Sequence, residues 1–450
     1  MKAVTLTQEL GKVIHNASRR GTSESARKAA KTGIIDTVAT MLAGRREPAV
    51  ALLASVHGVL PAGAAKEVAG MTCTRADTAA LINGVAAHVL DFDDVALRGH
   101  PSAVMTPAIL ALGAELGRSG RDVLDAYVVG YQVWGELVQR EPDMHHIKGW
   151  HPTSVFGSVG AAAACATLLR LDAQQAAHSI GLGATQSAGL MANFGSMSKS
   201  FQAGRAAQAG VWAATMANAG YTAGIDVLEH PQGFLCAFSP NNGVNLGRPL
   251  ADLSHGWNIV QQPVSIKKYP TCFYTHRTLD SILATPALNR IPIDQIAQVQ
   301  VHMSREHATV LRNHHPATGL AAKFSIEFAV ASALAFGKAG LSELRDSVVQ
   351  DARIQTLMDK VSTTASTDYS DEWQGAARAD WAVIQLTNGE RIETIPVTHA
   401  KGHAKNPLEK NDLDTKFQDC VRAGAADINV NRLLEKLWLL EDLAIDELWN

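Results

Sequence analysis

Residues 149–169 read GWHPTSVFGSVGAAAACATLL, and from Val155 to Ala166 the chain is apolar or small at every position. A helix without a polar face cannot lie on a surface, so this one is expected to be buried. Two more small-residue stretches follow, 176–194 and 202–218, joined by the polar turn Gly195-Ser196-Met197-Ser198-Lys199-Ser200. Alanine and glycine side chains let neighbouring helices approach closely, so residues 149–218 read as the packed helical centre of the molecule. His151 and Lys199 are left at the helix ends. Ionisable groups at the mouths of buried helices suit chemistry, and they suit plain capping as well.

Working outward, Ser23 to Ala26 opens a helix whose Ile34, Ile35, Val38, Met41 and Leu42 recur at helical spacing, with Gly44 as the stop. Residues 49–60, 76–89, 107–116 and 123–138 repeat that texture, and no convincing strand pattern occurs before about residue 260. Beyond Gln261 the texture changes. Residues 296–303 alternate as a half-buried strand, and the runs 381–386 and 391–397 flank Asn388-Gly389, a strong hairpin signal. Helices are expected at 278–283, 325–336, 354–361, 413–423 and 429–437. The expected fold is mainly α. A large all-helical domain, residues 1–265 completed by 405–450, carries a smaller α+β lid domain over 266–404.

The 450 residues carry a net charge of -3 and no basic run, so neither nucleic acid nor an anionic membrane is the expected partner. Cys73, Cys165, Cys236, Cys272 and Cys420 are scattered and odd in number, which favours reduced thiols in a cytoplasmic protein over a disulfide framework. The first residues lack the apolar core of a signal peptide. The longest apolar run, inside 154–169, falls short of the ~20 residues of a membrane span.

Candidate chemistry falls into a few clusters. Asp91, Asp93, Asp94 and His100 leave the end of one helix together, and an aspartate beside a histidine can orient the ring as a general base requires. The same residues also read as a solvated acidic loop. A metal could be held by such a group, but no second cluster of ligands matches it, so no metal is expected. His151 precedes Pro152 at a helix start. Lys199 stands before another helix, a favourable place to hold a carboxylate. His276 follows the change of texture, where two domains would meet and pockets are common. Ser196-Met197-Ser198-Lys199 also fits S-x-x-K, and Lys31-Thr32-Gly33 supplies a K-T-G, as in penicillin-recognising serine enzymes. That triplet, however, precedes the serine and lies in a helix. As a set, these residues describe cofactor-free acid–base chemistry on a small anion, with Lys199 and Lys267 or Arg98 holding carboxylates.

The chain also resembles the MmgE/PrpD family over nearly its whole length. The carriers are Ala87-His88-Val89-Leu90-Asp91-Phe92-Asp93-Asp94 with His100-Pro101-Ser102, then Gly149-Trp150-His151-Pro152-Thr153. Met197-Ser198-Lys199, Gly204-Arg205-Ala206-Ala207-Gln208, Lys267-Lys268-Tyr269-Pro270-Thr271-Cys272 with Thr275-His276, and Ala322-Lys323-Phe324-Ser325 follow in the family's order. The resemblance implies a homodimer with its active site in the cleft between domains, and chemistry without a metal or organic cofactor. Members include 2-methylcitrate dehydratases, cis-aconitate decarboxylases and an iminodisuccinate epimerase. The positions matching the decarboxylase-type catalytic set are Asp91, His100, His151, Lys199 and His276, with Arg98, Ser102, Lys267, Tyr269 and Lys323 as substrate-binding candidates. After Asp94, dehydratases and decarboxylases tend to show a threonine and then an aromatic residue or histidine, whereas Val95-Ala96-Leu97-Arg98-Gly99 stands here. The expected function is a hydro-lyase on a small hydroxy di- or tricarboxylate, resembling 2-methylcitrate dehydratase. The alternatives are an epimerase of an amino- or imino-dicarboxylate, for which Arg98 would be the altered contact, and a cis-aconitate-type decarboxylase.

Overall fold

A computed structural model describes residues 4–57, 61–371, 375–425 and 427–449. The helix Pro152–Leu168 is buried at every position and packs against the helices Met197–Asn218 and Gly120–Val138. Small residues are what permit this. A Cβ on Gly210 would stand 2.3 Å from the Ala161 Cβ, and one on Gly84 would stand 2.7 Å from the Gly204 Cα. The helix Ala76–His88 therefore lies close along Met197–Asn218, with two glycines at the crossing.

Several elements differ from the sequence reading. The helix Leu6–Arg20, capped by Thr5 and Gln8, packs on Ala173–Thr185 and was not anticipated. The helix expected at 49–60 runs Pro48–His57, and residues 58–60 lie outside the described ones. The one expected from residue 107 begins at Pro101, with Pro107 inside it. The one expected from 202 begins at Met197, so the supposed polar turn supplies its first residues. Two short strands, β1 (Ala65–Lys66) and β2 (Cys73–Thr74), pair antiparallel where no strand was expected. Strands of two residues bury no alternating face. This pair is shaped instead by the Glu67 carboxylate, which accepts from the main-chain N–H groups of Gly70 and Thr72.

The second half contains a four-stranded sheet in the order β4-β3-β5-β6. Strand β3 (Ile296–Met303) lies parallel to β4 (Val361–Ala365) and antiparallel to β5 (Trp381–Leu386), and β6 (Arg391–Glu393) completes the hairpin after Gly389. The helix expected at 354–361 is Ala352–Met358, and β4 was missed because VSTTA carries little apolar alternation. One cluster of buried side chains collects residues from Leu6 to Ile266 and again from Leu413 to Leu448, and a second runs from Tyr269 to Leu386. Near the carboxy terminus, the helix Lys410–Gly424 packs on Glu24–Gly44 through Leu413, Phe417 and Val421, and the helix Val430–Trp438 follows it. The fold is mainly helical with a smaller α+β domain. Among the described residues, no helix is long and apolar enough to cross a membrane.

Candidate active site

The helix Ala76–His88 ends deep inside the protein. The chain then turns through Asp91, whose φ of 50° is left-handed, a conformation that aspartate tolerates better than most residues. Local contacts hold it there. Lys199 Nζ donates to Asp91 Oδ1 at 2.6 Å, and Lys267 Nζ lies 2.9 Å from Oδ2 while donating to the Asp91 main-chain oxygen at 2.7 Å. Burial alone would raise the Asp91 carboxyl. The two ammoniums outweigh it and hold this acid far below the usual carboxylate range.

Lys199 occupies the first turn of its helix, where a cation opposes the helix dipole, so its contacts must compensate. Its second contact is His88 Nε2 at 2.9 Å. An ammonium can only donate, so that nitrogen carries no proton. The His88 proton therefore sits on Nδ1, which meets the Asp93 oxygens at 3.0 and 3.1 Å. Burial, aided by Lys199 against the pull of Asp93, lowers the His88 ring to about 4. Asp93 also lies against His100, with Oδ2 2.9 Å from Nδ1. Burial would raise Asp93, but the two imidazoles beside it hold it well below the usual range. His100 is lowered by burial, with Asp93 in partial opposition, and its Nε2 lies 4.0 Å from Asp91 Oδ1.

His151 forms the N-cap of the buried helix that starts at Pro152. Its Nδ1 lies 2.7 Å from Gln202 Oε1, and Gln202 Nε2 donates to the Leu190 carbonyl, which turns the amide oxygen toward the ring. The ring proton is thus on Nδ1, and Nε2 keeps its lone pair. Burial and then Lys199 push this histidine well below 6.5. His151 thus leaves Nε2 as a free acceptor, and the nearby Asp93 carboxylate favours the same tautomer in His100.

Asp91, His100, His151, Lys199, Lys267 and Arg98 line one cavity of about 890 Å³, along with Phe194 and Phe324. Arg277, Arg378 and Lys405 also line it, with Arg277 paired to Asp380 and Arg378 to Asp368 and Asp371. The remaining candidates stand elsewhere. His276 is fully buried behind this wall, with Nε2 3.3 Å from the Thr271 carbonyl, and burial lowers it well below 6.5. Arg98 spends guanidinium donors on the carbonyls of Asp143 and Pro142, although it borders the cavity. Ser102 does not reach the cavity; its hydroxyl is buried between Asp94 and Tyr127. Tyr269 likewise turns its hydroxyl to Asp280, at 2.7 Å. Lys323 lines a different cleft, and its ammonium donates to the carbonyls of Leu90 and Pro270.

His88 and Gln202 were not singled out in the sequence. His88 ends an apolar helix and looks like an ordinary core histidine; its spacing to Asp91 and Asp93 was the available signal. The S-x-x-K pattern has no serine-hydrolase geometry. The Ser196 hydroxyl donates to the Asn193 carbonyl, whereas Lys199 is engaged with Asp91 and His88. His88, Asp91, Asp93 and His100 could offer ligand atoms within 4.8 Å of one another. A divalent cation there would meet Lys199 and Lys267 at contact distance, a repulsion of ~4 kcal/mol per pair of unit charges at 4 Å and an effective dielectric of 20.

Residues 8–246 match the MmgE/PrpD N-terminal domain, and residues 269–440 match the MmgE/PrpD C-terminal domain. The chain is 26% identical to the cis-aconitate decarboxylase of Homo sapiens, over 98% of this chain and 93% of that protein. It is 27% identical to the Mus musculus cis-aconitate decarboxylase, over 81% and 76% of the two chains. With the 2-methylcitrate dehydratase of Escherichia coli (strain K12) it shares 24% identity, over 70% of this chain and 69% of that one.

Proposed function

The chain belongs to the MmgE/PrpD family, and from that premise we propose that it is a lyase working by acid–base chemistry on a small di- or tricarboxylate. The reaction read here is a hydro-lyase step. A proton leaves the carbon next to a carboxylate, the electron pair forms the carbon–carbon double bond, and hydroxide departs from the neighbouring carbon as water after taking a proton.

One observation carries this reading. His100 and His151 each present an unprotonated Nε2 to a cavity that also holds the ammoniums of Lys199 and Lys267. In a dehydration one of these bases takes the proton from carbon, and the imidazolium so formed, or an ammonium of the cavity, gives a proton to the leaving oxygen. The ammoniums stabilise the charge that develops on the substrate carboxylate as the carbon loses its proton. Decarboxylation, which returns a single proton to carbon, is the second reading. The broad likeness to cis-aconitate decarboxylases favours it.

The test is turnover of citrate, 2-methylcitrate and cis-aconitate in heavy water. The expected result is an unsaturated acid, seen by its new ultraviolet absorbance, with deuterium washed into the carbon next to a carboxylate. Release of carbon dioxide from cis-aconitate marks the second reading. A change in optical rotation without a new chromophore marks an epimerase. Turnover of the true substrate with neither an unsaturated acid nor carbon-bound deuterium in substrate or product defeats all of these.

A further inference from the structure

Leu90, Asp91 and Phe92 offer successive main-chain carbonyls, and each accepts from a buried lysine at 2.7 Å: Lys323, Lys267 and Lys416 respectively. The lysines come from separate parts of the chain. Lys323 precedes the helix Ile326–Phe336, Lys267 lies on the segment joining the two cores, and Lys416 is on the helix Lys410–Gly424. The carbonyls follow the end of the helix Ala76–His88, where the last acceptors lack helical partners and the dipole is negative. Cations satisfy both needs. Lys416 also meets Asp36 at 2.6 Å, and its ammonium lies 3.9 Å from the centre of the Phe92 ring.

We propose that Lys416 and Lys323 are positioning residues, which hold the loop 90–93 so that Asp91 meets Lys199 and Lys267 while Asp93 meets His88 and His100. Neither ammonium reaches the active-site cavity, so each acts through the loop. Burying an ammonium costs several kcal/mol unless it is paired and hydrogen-bonded. Asp36 alone would compensate the Lys416 charge. The added bond to the Phe92 carbonyl is what ties that charge to the loop. Asp91 sits in a left-handed conformation and Asp93 must serve two imidazoles, so a small displacement of the loop breaks several contacts at once. The clasp also makes the loop depend on the seating of the helix Lys410–Gly424 through Lys416, and on that of the α+β domain through Lys323.

This inference rests on the proposed reading only in taking Asp91 and His100 as working parts, and its main readout needs no substrate. Protein labelled with nitrogen-15 in its histidine rings, with His88 and His100 assigned by replacement, reports the tautomer of each ring by NMR. The expected wild-type state is a proton on Nδ1 of both. In Lys416→Met both rings are expected to lose this single tautomer while the far-ultraviolet circular dichroism stays unchanged, and Lys416→Arg is expected to restore it. With a substrate in hand, kcat should fall ~10–100-fold in Lys416→Met, with KM little changed. The double variant Asp36→Asn/Lys416→Met separates the clasp from simple charge neutralisation, and its rings are expected to stay perturbed. If that pair recovers the wild-type spectrum, or if Lys416→Met never perturbs it, the proposal fails. Should Lys416→Met not fold, Lys323→Met carries the same expectation from the other carbonyl, and unchanged ring signals there overturn the clasp.

Discussion

His100 holds its Nδ1 2.9 Å from Asp93 Oδ2, an ion-pair contact that favours the ring proton on the aspartate side. With the proton on the aspartate side, Nε2 faces the cavity as a base. Asp93→Asn would keep the shape but could present its amide N–H to either imidazole, which reverses the tautomer it meets. We expect kcat/KM to fall ~10²–10³-fold, within the usual contribution of a positioned acid or base. Steady-state kinetics beside a melting curve would check it, and a full-rate Asp93→Asn enzyme would remove His100 from the chemistry.

Lys199 is expected to hold charge, with no part in activating a serine. Lys199→Met removes an ammonium that contacts Asp91 and His88, and should cost ~2–4 kcal/mol in kcat/KM. Ser196→Ala loses only a bond to the Asn193 carbonyl at an exposed turn, so turnover should stay close to wild type. A covalent adduct on Ser196 with a serine-directed acylating reagent, accompanied by inactivation, would revive the hydrolase reading.

The helical centre was legible because its cause is local. A run such as 155–166 has no face that tolerates water, and the glycines that let helices touch are visible as letters. Asp91, His100, His151 and Lys199 were legible as residue types at helix ends, where side chains escape the packing. The roles of His88 and Gln202 were not. Each depends on which atom of a distant residue lies within hydrogen-bond reach, and residues 88 and 199 are far apart in the chain. Ser102 and Tyr269 misled for the same reason. A hydroxyl beside a candidate site residue in sequence can point away from it in space, toward Asp94 in one case and Asp280 in the other. Strand β4 escaped because its pairing with β3, not its own pattern, makes it a strand.

Stability should fall on acidification from pH 6.5. Burial leads in lowering His88, His145 and His146 to about 4 and His307 to about 3. An unfolded histidine takes its proton near 6.5, so the unfolded chain binds more protons as pH drops, and stability present above 6.5 is lost toward 4. Asp36 and Asp380 work the other way. Burial, opposed by Lys416 and by Arg277 respectively, raises them to about 6 and about 7, so their contributions are present below the unfolded value near 4 and lost as pH rises through 6 and 7. Burial shifts Asp94 and Glu47 in the same sense. The lowered histidines, with His100, His151 and His276 added, outnumber these acids. Each uncompensated proton is worth ~1.4 kcal/mol per pH unit. Urea midpoints between pH 7 and 5 would measure the slope, and midpoints that rise on acidification would contradict the expectation.

His151 offers the sharpest test of the acid–base reading, because one neighbour sets its proton. Gln202 accepts from Nδ1 but carries no charge, while Lys199, His88 and His100 face the ring and disfavour its protonation. As a base His151 must be neutral. Activity is then lost as pH falls through its lowered pKa, and the acid limb of kcat/KM should lie below 6.5 in the wild type. Gln202→Glu would place a carboxylate on Nδ1–H with little change in size, and Lys199 nearby favours its ionised form. A carboxylate at that distance stabilises the imidazolium and should raise the ring by ~1–3 pH units. The acid limb should move to higher pH by the same amount, while the rate on the plateau changes little. His151→Ala should remove most of the deuterium exchange into the carbon next to the carboxylate. If the limb of Gln202→Glu stays where the wild type has it, His151 does not titrate in the reaction. The proton from carbon must then be taken by His100.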